Sequence, residues 1–157
     1  MPWYPKAIAL VVSALALAIL VVRPFREGLF RVDMRWLVSV HLVRFVGIYF
    51  LYLYARHELP YGFAVWGGWG DILVASLALV VVLFFGSKPV LVVWNILGLA
   101  DILAVAATAA RSEIAVPGSM NQLDKFPLIL LPTFIVPVII VTHVLMLARV
   151  LRPHSSC

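Results

Sequence analysis

Three ionisable residues, Arg44, Asp71 and Asp101, each lie inside an apolar run long enough to cross a bilayer. A charge at the middle of a membrane costs at least about 2.5–3.5 kcal/mol, so such residues turn inward and find partners. That requirement constrains the chain more than any other feature, because it asks separate apolar segments to converge on one polar layer. The composition agrees with the setting: 64% of residues are hydrophobic and 12% charged, with a mean hydropathy of +1.10. A soluble domain averages about 25% charged residues. The chain therefore reads as an integral membrane protein forming a single transmembrane helical domain over residues 1–157.

At about 20 residues per crossing, the apolar runs define five helices over about 7–22, 36–55, 63–85, 89–110 and 126–150. The fold class is all-α, a polytopic five-helix bundle. Trp3 and Tyr4 suit an interfacial collar before the first segment. Four arginines follow that segment while only Lys6 precedes it, the charge order of a retained anchor rather than a cleaved signal peptide. Arg23, Arg26, Arg31, Arg35, Lys88, Arg149 and Arg152 fall on one side of the bundle, seven in all, against Lys6, Arg56, Arg111 and Lys125, four, on the other. The positive-inside rule then places the N-terminus outside and the C-terminus in the cytoplasm. The net charge of +5 is thus a topology signal, and no nucleic-acid partner is implied. The stretch from Arg23 to Arg35, with Phe25, Leu29, Phe30 and Met34 interleaved, suits an anionic membrane surface.

Segments three and four are joined by the tight Gly86-Ser87-Lys88 link and should pair antiparallel. The longer link from Arg111 to Lys125 can cap the bundle. In segment five, Pro132 and Pro137 each remove a backbone donor and predict a kink around Leu128 to Thr133.

At 1.5 Å per residue, Arg44 and Asp101 come out near the midplane, Asp71 somewhat toward the outside, and His41, Asn95 and His143 at one shared level toward the cytoplasm. His41 and Arg44, three residues apart, share a helical face. Arg44 can hold one or both carboxylates through its fork of donors. Arg44, Asp71, Asp101 and Asn95 are the candidate residues for binding a ligand, ion or proton. His41 and His143, on different helices at similar depth, are candidate metal ligands: they suit the two faces of a b-type haem or, with an aspartate, a non-haem metal. The third reading is an accessory subunit in which the ion pair only fixes helix register.

Other chemistry finds little support. No Gly-x-Ser-x-Gly elbow or His-Glu-x-x-His motif is present. Trp66-Gly67-Gly68-Trp69-Gly70 opens a membrane helix without the lysine or strand of a phosphate loop. Cys157 is the single cysteine, so there is no intrachain disulfide or cysteine cluster. Whether the chain is an enzyme is left open by its residues. Gly68-Trp69-Gly70-Asp71-Ile72-Leu73 and Gly98-Leu99-Ala100-Asp101-Ile102-Leu103 align at a spacing of 30; on antiparallel neighbours such a pair has the form of a minimal inverted repeat.

Gly-Trp-Gly-Asp-Ile-Leu at 68–73, Trp94-Asn95-Ile96-Leu97-Gly98-Leu99-Ala100-Asp101, and Leu131-Pro132-Thr133-Phe134-Ile135-Val136-Pro137 followed by His143 together resemble a set of small bacterial multi-pass membrane proteins with no established activity. The likeness covers segments two to five. It implies a bacterial inner membrane and one shared polar core. Five short helices enclose little pore volume, so transport of a ligand or of protons would call for a homo-oligomer or a membrane partner subunit.

Overall fold

In the computed structural model, residues 10–12, 14, 15, 18, 22–83 and 87–151 are described. Most of the predicted first span, 7–22, lies outside them, as do Trp3, Tyr4, Lys6, Gly86, Arg152 and Cys157. The described chain is helical apart from its turns and links, with no strand among the described residues, and four helices in it are long and apolar enough to cross a membrane. These are α2 (Met34–Ala55), α3 (Tyr61–Leu83), α4 (Lys88–Ala115) and α5 (Leu131–Val150). They are preceded by α1, Arg23–Arg31. The five expected spans are thus four among the described residues, and they correspond to segments two to five. α4 runs five residues past its expected end at 110.

Local chemistry sets the boundaries. Asp33 caps α2 by accepting from the Arg35 amide at 2.7 Å, a standard N-terminal device. α2 ends where His57 takes a left-handed backbone (φ 59°), and Pro60 leads into α3. Two spans depart from regular α-helix. Within α2 the winding tightens to 3₁₀ over Val40–Val46, between α-helical Met34–Ser39 and Gly47–Ala55. α5 begins with a π-turn at Leu131–Ile135 before its α-helical part, Val136–Val150. The irregularity expected from Pro132 is therefore a widened turn, and the helix starts at Leu131 rather than at 126, because a proline cannot donate into the ladder.

α2 and α3 touch backbone to backbone. A Cβ on Gly47 would run into the Gly68 carbonyl, and one on Gly68 would lie 2.9 Å from the Gly47 oxygen. Small residues allow this approach where no water drives helices together. Apolar clusters close the bundle at both ends. At one end Leu37, Val38, Ala78, Leu91, Trp94 and Met146 pack together, with Leu29 and Phe30 of α1 laid against them. At that end too, Arg149 Nη1 donates to the Val32 carbonyl at 2.6 Å. At the other end Phe50, Leu53, Phe63 and Ala64 meet Met120, Leu123 and Leu128 of the link after α4. That link is held in place: the Glu113 carboxylate accepts from the amides of Gly118 (2.8 Å) and Met120 (3.0 Å), and Gln122 Nε2 donates to Glu58 at 2.7 Å. The link caps the bundle as its length and turn residues suggest. Beneath it lies an apolar cavity of about 30 Å³, bounded in part by Phe63, Val105, Leu131 and Pro132.

Candidate functional site

Between the two apolar ends lies a polar core in two layers. Arg44, Asp71 and Asp101 fall within one residue of the midpoints of α2, α3 and α4. The helices meet there, and the residues meet with them. The Arg44 guanidinium is a hub: Nε donates to Asp71 Oδ1 at 2.6 Å, Nη1 to the Gly98 carbonyl at 3.0 Å, and Nη2 to Asp101 Oδ2. The guanidinium fills the space between the two carboxylates, so Asp71 and Asp101 are joined by Arg44 rather than by an open cavity. Arg44 is 1% exposed, and the Asp71 side chain 4%; the Asp101 side chain keeps 24%. One arginine against two aspartates leaves one formal negative charge in excess. Of the two, Asp101 is the carboxylate with access to the outside of the bundle.

The second layer is reached by the 3₁₀ winding of α2. At three residues per turn, positions i and i+3 eclipse, so His41 stands directly one turn from Arg44, roughly 6 Å along the axis. Its imidazole meets His143 of α5 with ring centroids 4.1 Å apart, and Trp94 packs on both rings at 5.1 and 5.5 Å. His41, Asn95 and His143 are all fully buried. His143 Nδ1 bonds to Asn95 Oδ1, and Asn95 Nδ2 donates to the His143 carbonyl at 3.2 Å. The Thr142 hydroxyl contacts His41 Nε2 at 3.2 Å and donates to the Ile139 carbonyl at 2.9 Å. His41 Nδ1 and His143 Nε2 have no hydrogen-bond partner.

The structure therefore brings all six candidate residues into one core, but sorts them. Arg44, Asp71 and Asp101 form the charged layer, while Asn95 belongs with the histidines. Neither aspartate has a histidine as hydrogen-bond partner. Two imidazoles ligating opposite faces of a haem are held apart by the whole macrocycle and its iron, whereas these rings are in direct contact; the pair does not fit that group. No set of three or more His, Cys, Asp or Glu residues arranged for a metal is found among the described residues.

Two participants have no chemical signal in the sequence. The Gly98 backbone carbonyl joins the layers, since it accepts from Arg44 while Gly98 itself packs on His143: a Cβ there would lie 2.6 Å from Cε1 and 2.8 Å from Nε2 of that ring. A glycine in mid-helix next to a buried polar residue is the available hint. Trp94, whose Nε1 donates to the Val74 carbonyl at 3.1 Å, reads as an ordinary membrane aromatic.

A family model described as a domain of unknown function, DUF8737, matches residues 1–151. The chain belongs to that family. No curated protein and no solved structure gives a significant match. The family description carries no activity to this member, and what its core can do rests on the geometry of the two layers.

Proposed function

We propose that this chain is a multi-pass protein of a bacterial inner membrane, N-out and C-in, whose charged layer binds and exchanges a single proton. The observation that carries the reading is the charge count at mid-membrane: two carboxylates share one guanidinium, and the carboxylate left partly open is Asp101. An uncompensated charge in the middle of a bilayer is costly, and a proton on a carboxylate removes it. Asp71, closed off against Nε, stays the permanent counterion of Arg44. Asp101 takes up and releases the proton, while Arg44 holds the acceptor in place in either state. The orientation rests on the excess of Lys and Arg at the end that carries α1, Lys88 and Arg149. Movement of the proton across the membrane would take place in a homo-oligomer or beside a partner subunit, since the core of one chain is filled by its own side chains.

The test is infrared difference spectroscopy on the purified protein in lipid. A carboxylic-acid C=O band should be present in the wild type, shift on transfer to deuterium oxide, vanish in Asp101→Asn and persist in Asp71→Asn. Absence of that band at neutral pH, or its persistence in Asp101→Asn, would overturn the reading.

One observation favours a second, structural reading. All three nitrogens of the guanidinium are engaged, by acceptors on two other helices, which is also what a clamp fixing helix register requires. On that reading both aspartates are ionised and the acid band is absent.

A further inference from the structure

The two oxygens of Asp101 have different surroundings. Oδ2 meets Arg44. Oδ1 receives no hydrogen bond among the described residues and lies over the backbone of Gly70 on α3, where a Cβ would run into it. This is the seam between α3 and α4, along which Gly62 faces Thr108 and Gly67 faces Val105 as well. The Asp101 side chain keeps 24% of its surface exposed, within one residue of the α4 midpoint. A bilayer edge is roughly 15 Å away in either direction. An opening at that depth faces hydrocarbon rather than water.

The residues around the opening agree with that setting. Trp66 and Leu73 lie one helical turn to either side of Gly70, and Leu97 and Ala104 one turn to either side of Asp101, so each set shares a face with its central residue. All four are exposed. A carboxylate oxygen without a partner therefore sits at the centre of an apolar patch, in a layer with one negative charge in excess. Lipid headgroups do not reach this depth. An inorganic ion would have to arrive stripped of its water, and calcium or magnesium, which take about six or more oxygen ligands, would find one. A cation that carries its own apolar body dissolves at this depth and needs only a counter-charge. One excess charge calls for a monovalent one, and Trp66 adds an aromatic face of the kind that attracts cations.

We propose that Asp101 Oδ1, at the α3–α4 seam, anchors a binding site for an organic monocation with an apolar body that enters from the bilayer. The proton and the cation compete for one carboxylate: the acid and the free cation become a carboxylate–cation pair and a released proton, and the layer is neutral before and after. The site rests on the reading of Asp101 as the exchanging carboxylate, and names the class of molecule that replaces the proton there.

The test uses the full chain in nanodiscs of zwitterionic lipid, with empty nanodiscs as the blank. Tetraphenylphosphonium is the probe, and triphenylphosphine oxide, with a similar apolar body and no charge, is the control. The expected result is one phosphonium per chain, an affinity that rises with pH, at least a tenfold loss in Asp101→Asn, and no difference between the two proteins for the uncharged control. In weakly buffered solution, at a pH where the infrared acid band is present, one proton should be released per cation bound. That count needs no variant, so the test survives even if Asp101→Asn fails to fold. Equal uptake by wild type and a folded Asp101→Asn, or uptake without proton release while the acid band is present, would place the cation elsewhere and overturn the site. A second copy covering Asp101 instead would give a dimer in the nanodisc and no uptake, which also overturns it. An acid band without cation uptake is failure of this site alone; cation uptake through Asp101 with no acid band is failure of the proton reading alone.

Discussion

The two layers of the core sit one 3₁₀ turn apart on α2, yet they solve the problem of burying polar groups in opposite ways. The charged layer satisfies every nitrogen of its guanidinium and is left with an excess of charge. The histidine layer has no formal charge to balance with neutral rings, and is left with two ring nitrogens, His41 Nδ1 and His143 Nε2, that have no partner. The first depends on ion pairing in a medium of low dielectric, where removing one partner exposes the others to the full cost. The second depends on neutral hydrogen bonds of ordinary strength, whose loss is modest but whose geometry fixes proton positions. Stability should therefore reside mainly in the charged layer, and the fixing of proton positions mainly in the histidine layer.

The largest expected effect breaks the charged layer. Arg44→Met should destabilise the protein by about 3–5 kcal/mol, because two carboxylates are stranded in the bundle. Reversible unfolding in mixed micelles measures it. Adding Asp71→Asn and Asp101→Asn should restore much of the loss, since no uncompensated charge is then left; a triple variant as unstable as the single one would mean that Arg44 acts through packing. The two aspartates should also differ from each other. Asp71→Asn removes the buried counterion and should cost about 2–3 kcal/mol, in the range for hydrogen bonds to charged groups. Asp101→Asn mimics the protonated state and should cost under about 1 kcal/mol. Equal costs would contradict the assignment of the proton to Asp101.

A change that touches both layers at once comes next. Gly98→Ala places a methyl against Cε1 and Nε2 of His143 and 3.1 Å from Val74 Cγ1, while the same residue's carbonyl receives Arg44. The backbone of α4 has to shift, at about 1–3 kcal/mol for overpacking. The infrared acid band and the nitrogen-15 NMR signals of His143 should both change in this variant. If only the histidine signals respond, the layers are independent and the Gly98 link is incidental.

Much of this arrangement was legible in the sequence, and the parts that were not share a cause. Helix ends marked by Pro, Gly and charged residues located segments two to five closely enough for the rise per residue to put His41, Asn95 and His143 at one depth, where they meet. Asp71 lies somewhat toward the outside of a span over 63–85 and almost at the midpoint of the described helix, Tyr61–Leu83, because that helix begins two residues earlier. Asn95 is a candidate of the same binding set as the aspartates, yet its angular offset of about 120° from Asp101 at 100° per residue and its shared depth with the histidines already point to the layer in which it lies. The 3₁₀ winding of Val40–Val46 was invisible, since nothing in that residue string distinguishes it from α-helix. It is set by tertiary contacts, among them the backbone approach of Gly47 to Gly68 one step further along and the demand that Arg44 reach two helices. Carbonyl groups, including those of Gly98 and Ile139, carry much of the site's logic and have no letter in a sequence.

The smallest expected effect sharpens the histidine layer alone. Thr142→Val keeps the shape of the side chain but removes the hydroxyl that meets His41 Nε2. The stability change should be about 0.5–1.5 kcal/mol, the net worth of a neutral hydrogen bond, far below the loss in Arg44→Met. Its informative consequence is the tautomer. In the wild type, nitrogen-15 NMR of labelled histidines should show His143 protonated on Nδ1, because Asn95 Nδ2 donates to the His143 carbonyl and so turns Oδ1 toward the ring, and His41 held in a single tautomer by the Thr142 hydroxyl. With the hydroxyl gone nothing holds the His41 tautomer, so its two nitrogens should move toward averaged shifts while His143, still held by Asn95, keeps its pattern. A wild-type spectrum with His143 protonated on Nε2 would contradict the role given to Asn95. A Thr142→Val spectrum identical to the wild type would show that α5 does not lock His41, and the contrast between the layers would then rest on His143 alone.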